Sequence, residues 1–162
     1  MANKTTFTND EWKSLLRAPG LAGMYVAASS PSGPVGAVKE SLALTRLVME
    51  SHQQKTSDEL ISAVVGDLLT SEGRHAANMM DMLGKPLPDV QATCLDALAK
   101  SREIVAAKAG TDAQAWSNWL AEISKRVAEA ATEGGFMGFG GTQVNDAERA
   151  ALIQIDKALG RA

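Results

Sequence analysis

The chain has one cysteine, Cys94, in 162 residues. No intramolecular disulfide can form, and a lone cysteine fits a reducing compartment. Aromatic residues make up only 4% of the chain, which leaves little material for an aromatic ligand cage. No block is strongly basic: the net charge runs +2, −3 and −2 over residues 1–56, 57–109 and 110–162. The electrostatic footprint of a nucleic-acid binder is therefore missing. Long apolar runs are missing too. The longest apolar-leaning stretch, Gly20 to Ala28, is about half a membrane span. The N-terminus MANKTTFTNDEWK has no hydrophobic core of a signal peptide. These absences predict a soluble cytoplasmic protein with no cofactor and no nucleic-acid partner, and argue against a membrane one.

Period-2 alternation of β-branched residues is also lacking, while apolar residues recur at helical spacing. The expected fold is all-α, a single domain over residues 1–162 with residues 1–7 flexible. Six or seven helices form one bundle, with a Gly/Phe-rich loop before the last. A domain of this size buries roughly 70% of the surface its unfolded chain exposes, enough for a core without staples.

Local signals place the helices. Thr8 and Glu11 form a capping box, and Phe7 can staple onto Trp12. Pro19-Gly20 predicts a kink or break in that helix, with a short helix on to Ala28. Ser29 to Pro34 reads as a loop. A second helix is expected over about Val35 to His52. Thr56 and Glu59 form another capping box, opening a helix with Leu60, Ile61, Val64, Val65, Leu68 and Leu69 on its apolar face. Ser71 to Gly73 either interrupts that helix or lets it continue to Leu83. Met79, Met82 and Leu83 sit at core spacing. Gly84-Lys85-Pro86-Leu87-Pro88 stops it, because proline disfavours helix in the residue before it. The next helix, about Asp89 to Ala109, buries Val90, Cys94, Ala97, Leu98, Ser101 and Val105. Gly110 suits a left-handed residue past its end. Thr111 and Gln114 can cap the helix from about Asp112 to Thr132, whose stripe is Trp116, Trp119, Leu120, Ile123, Val127 and Ala130. Asn145 and Glu148 start a last helix with Leu152, Ile155 and Leu159 inward, ended by Gly160.

The unusual segment is EGGFMGFGGTQVNDAE, Glu133 to Glu148, with five of the fourteen glycines and two of the three phenylalanines. A phosphate-loop reading fails: a helix precedes the segment, no Gly-Lys-Ser/Thr follows, and Asp146 and Glu148 oppose an anion at the next helix start. A calcium loop fails because Gly134 to Val144 has no carboxylate. Two readings stand. The loop is a tight chain reversal whose Phe136 and Phe139 plug apolar gaps. Or Phe136, Met137, Gly138, Phe139 and Gly140 form an exposed knob that docks a partner.

Other candidates are weaker. Glu72 and His75 form a Glu-x-x-His pair, half of a di-iron site, but no second pair exists. The adjacent methionines Met79, Met80 and Met82 can pack or offer an adaptable binding face. Cys94, on a buried face, reads as a small hydrophobe.

The segments FTNDEWK, TSEGRHAA and EGGFMGFGGTQVNDAERAAL together resemble a family of small, uncharacterised bacterial all-helical proteins. That resemblance implies a cytoplasmic helical bundle and carries no activity or site residues. The stretch from Gly140 to Gly160, with Val144, Glu148, Leu152, Ile155 and Leu159, is similar to the final helix of tellurite-resistance-type helical domains. Here Gly-Gly-Thr-Gln stands where those have acidic loops. The resulting expectation is a non-enzymatic helical interaction protein, homo-oligomeric. The alternatives are a bundle binding a small ligand or a metal, with Glu72, Arg74 and His75 as its polar groups, and a membrane-surface stress protein using the Gly/Phe knob.

Overall fold

The computed structural model of the chain describes residues 2–29, 48, 50, 58–132 and 144–161. Among them are six α-helices and no strand: α1 Asn9–Ser29, α2 Glu59–Leu68, α3 Ser71–Ala76, α4 Leu87–Lys108, α5 Ala113–Thr132 and α6 Asp146–Ala158. The expected all-α bundle is what is found. The expected second helix, Val35 to His52, lies outside the described residues except for Val48 and Glu50, which are helical. Among the described residues no helix is long and apolar enough to cross a membrane.

Helix α1 is the central element and packs most extensively on α4 and α5, with further contacts to α6, α2 and α3. Its start follows the sequence signals. The Thr8 amide donates to Glu11 Oε2 at 2.7 Å, the Glu11 amide donates to Thr8 Oγ1 at 3.3 Å, and the Phe7 and Trp12 rings lie 5.9 Å apart. Residues 2–7, expected to be flexible, carry a 3-10 turn at Lys4–Thr6 capped by Asn3, and both Ala2 and Phe7 are buried.

The helix is not broken at Pro19. It runs through the proline to Ser29. A proline inside a helix costs about 3 kcal/mol through a lost hydrogen bond and a ring clash. Leu15, Leu16, Leu21 and Val26 are all essentially fully buried on the two sides of it. Each such side chain contributes about 1.5–3 kcal/mol on burial. Burial on both sides outweighs the cost of the proline.

Helix α2 ends at Leu68, which resolves the Ser71–Gly73 alternative in favour of interruption. The Thr70 hydroxyl donates to the Asp67 carbonyl at 2.7 Å and accepts from the Gly73 amide at 2.9 Å. It thereby ends one helix and starts the next. Gly73 lies so close to the end of α2 that a Cβ there would stand 2.0 Å from the Asp67 carbonyl oxygen. Only glycine permits this return.

Several expected caps move. Thr56 lies outside the described residues, and the cap of α2 is Asp58, its side chain accepting from the Ile61 amide at 3.0 Å. Gly110 is not left-handed; it opens a 3-10 turn, Gly110–Asp112, that feeds directly into α5. Thr111 therefore does not cap: its hydroxyl donates to Asp112 Oδ1 at 3.0 Å, while Gln114 Nε2 donates to Asn118 at 3.0 Å. Helix α4 begins at Leu87, so Pro88 sits in its first turn, where its missing N–H costs nothing. The Asn145–Glu148 capping box and the left-handed Gly160 end-stop of α6 appear as expected.

The core side of α4 faces that of α5. Trp116 is fully buried, lies 5.3 Å from Trp119, and donates from Nε1 to Ser101 Oγ at 3.2 Å. These tryptophans are core. Of the predicted α4 face, Val90, Cys94, Leu98, Ser101 and Val105 are buried and Ala97 is half-buried.

Candidate functional site

The segment between α3 and α4 turns twice within ten residues. A 3-10 turn spans Met80–Met82, the Leu83 amide donates to the Met80 carbonyl at 3.1 Å, and Gly84 adopts φ +77. Only one side chain of this run enters the core: Met82 is buried. Met80, Leu83 and Leu87 are 68%, 70% and 54% exposed. The expectation that Leu83 packs inward is thus overturned. The helical register on which it rested ends at Ala76, and the residue before a left-handed glycine points where the turn directs it. Met79 is half-buried, with its Cε and Sδ over Gly20.

This apolar corner is tied to the bundle by charge. Asp81 Oδ1 and Arg17 Nη2 are 2.5 Å apart. The hydrogen bond from Arg17, which outweighs the opposing effect of burial, holds the Asp81 carboxyl below its ordinary range. Arg17 Nε is buried and without a hydrogen-bond partner among the described residues. Lys85 and Asp89 flank the corner, both exposed. Neither has an ion-pair partner within 4 Å among the described residues.

The residues singled out in the sequence do not converge on this corner. Glu72 and His75 lie on the six-residue helix α3, both exposed. Arg74, between them, donates to the Leu69 carbonyl at 2.6 Å. Among the described residues no three His, Cys, Asp or Glu side chains come together as a metal ion would require. Phe136, Met137, Gly138, Phe139 and Gly140 lie outside the described residues. Cys94 is fully buried, and burial, only partly opposed by the Arg17 charge, pushes its thiol up to about 11, so it carries no thiolate near neutrality.

A cleft of about 530 Å³ lies between α5 and α6, floored by Ala121, Leu152 and Ile155. Its rim charges are already engaged. Asp156 pairs with Arg161 at 2.9 Å and Glu122 with Arg126 at 2.8 Å. The exposed corner and the Arg17 environment were missed by sequence reasoning. The available signal was Gly84 directly after Leu83 and shortly before the proline-flanked Leu87, a turn that takes its neighbours out of helical register. A scan of this chain against protein-family models and searches of the curated proteins and of the solved structures return no match.

Proposed function

We propose that this chain is a non-enzymatic helical protein that acts by contact, and that its partner is a second copy of itself docked through the Met80–Asp89 corner. The observation that carries the reading is the outward display of Met80, Leu83 and Leu87 by a segment that Met82 and Asp81 anchor firmly. Clustered exposed apolar side chains usually mark contacts.

Charge favours self-pairing. The corner carries one cation, Lys85, and one anion, Asp89, without ion-pair partners among the described residues. A two-fold axis through the corner brings the lysine of one copy towards the aspartate of the other, as an isologous interface requires. Six apolar side chains from two copies, already partly covered, supply roughly 1 kcal/mol each. That total is near the low end of the 4–15 kcal/mol that association costs. The dimer is therefore reversible and concentration-dependent.

Sedimentation velocity from low to high micromolar protein tests this. A monomer–dimer equilibrium is expected for the wild type, and a monomer for Leu83→Glu with an unchanged circular-dichroism spectrum. Lys85→Glu should weaken the dimer and Lys85→Glu with Asp89→Lys should restore it. A wild-type monomer throughout, or a dimer indifferent to Leu83→Glu, would refute the reading.

A further inference from the structure

Between α1, α4 and the Met80–Met82 turn lies a cavity of about 90 Å³. It is walled by the apolar Leu21, Met82 and Ala97 and by five polar residues: Ser14, Arg17, Asp81, Thr93 and Lys100. A single water needs only about 10–15 Å³ of such space, so several waters, or an ion of a few heavy atoms, fit.

The polar wall is unevenly supplied. The Ser14 hydroxyl donates to the Asp10 carbonyl at 2.9 Å and the Thr93 hydroxyl to the Asp89 carbonyl at 2.7 Å. Both spend their hydrogens on their own helices. The donors that remain belong to the two cations. Arg17, four-fifths buried, meets Asp81 through Nη2 alone, and its Nε is left buried without a partner. Lys100, from α4, is exposed and has no ion-pair partner within 4 Å among the described residues. Two positive charges therefore line the cavity beside one carboxylate. Guanidinium presents paired N–H groups in a planar fork that matches carboxylate and phosphate oxygens.

We propose that this cavity binds a small oxyanion, with an Nη of the Arg17 guanidinium as the directional donor and Lys100 as the second charge. Asp81 is the internal competitor: it occupies one end of the guanidinium and repels an incoming anion. The chemistry admits inorganic phosphate or the carboxylate of an organic acid. The proposal is independent of self-association.

Calorimetric titration with inorganic phosphate and, separately, acetate tests it, at constant ionic strength with chloride as the balancing anion. Wild-type protein should bind one of the two saturably, with one anion per chain. The anion that binds more tightly identifies the source. Lys100→Ala, an exposed change that leaves the core intact, should weaken binding at least tenfold. Asp81→Asn, which removes the competitor, should tighten it. Arg17→Gln should abolish binding, with its fold checked by circular dichroism. No saturable binding of either anion by wild type and by Asp81→Asn would overturn the proposal. So would binding that Lys100→Ala and Asp81→Asn leave unchanged, because the ion would then sit elsewhere.

Discussion

Replacing each of two helical glycines by alanine puts the joint between α2 and α3 to a quantitative test. Gly66 lies in α2 and Gly73 in α3. By helix propensity alone, either change stabilises the fold by up to about 1 kcal/mol. The surroundings separate them. A Cβ on Gly66 would meet nothing within 4 Å, so the propensity gain stands. A Cβ on Gly73 would lie 2.0 Å from the Asp67 carbonyl oxygen and 2.5 Å from its carbon. Those atoms are backbone and cannot rotate away. Relief requires moving the end of α2 against α3 by about an ångström, which strains the Thr70 bonds to Asp67 and Gly73. Overpacking of this kind costs roughly 1–3 kcal/mol, and the rigidity of the obstacle places this case at the upper end. After the propensity gain, Gly73→Ala should destabilise by about 2 kcal/mol, and the two variants should differ by about 3 kcal/mol. Urea titration followed by circular dichroism at 222 nm reads the difference directly. In melting temperature it corresponds to roughly 6–12 °C for a domain of this size. If Gly73→Ala proves as stable as Gly66→Ala, the tight return of α3 onto α2 is wrong.

Two further outcomes follow from buried polar and thiol groups. Asp67 accepts from Trp12 Nε1 at 2.7 Å and from Lys4 Nζ at 3.0 Å. Burial alone would raise its pKa, yet those bonds outweigh it and hold the carboxyl below its ordinary 3.8. The unfolded chain then binds this proton more readily, so the stabilisation is complete above the ordinary carboxylate range and is lost as pH falls through the depressed folded value. Denaturation midpoints measured from neutral pH down to about pH 3 should fall less steeply for Asp67→Asn than for the wild type; parallel curves would remove Asp67 from the acid limb. Cys94, buried with its thiol pushed up to about 11, should resist Ellman's reagent in native protein at pH 8 and react fully in denaturant. Rapid native labelling would mean that α4 exposes it.

Much of the frame was legible where the signal is local. The Thr8–Glu11 and Asn145–Glu148 boxes and the α5 stripe around Trp116 all arise from residues a few positions apart, and each appears in the structure. Errors cluster where a local rule met a distant partner. Pro19 should interrupt α1 by its own chemistry, but burial on both sides holds the helix together. Thr111 had a cap's spacing, yet the 3-10 turn leading into α5 left its hydroxyl a side-chain partner instead.

The amino-acid order alone determined that this protein is helical and where most helices begin and end, because caps, proline positions and the 3.6-residue apolar period act within a turn or two of chain. Tertiary structure alone decided what faces outward. It put Met82 inside and Leu83 outside one short turn, and it joined Arg17 to Asp81 and Trp116 to Ser101. Those choices rest on contacts between separate elements, whose free energies depend on how whole helices pack and not on any single segment's pattern.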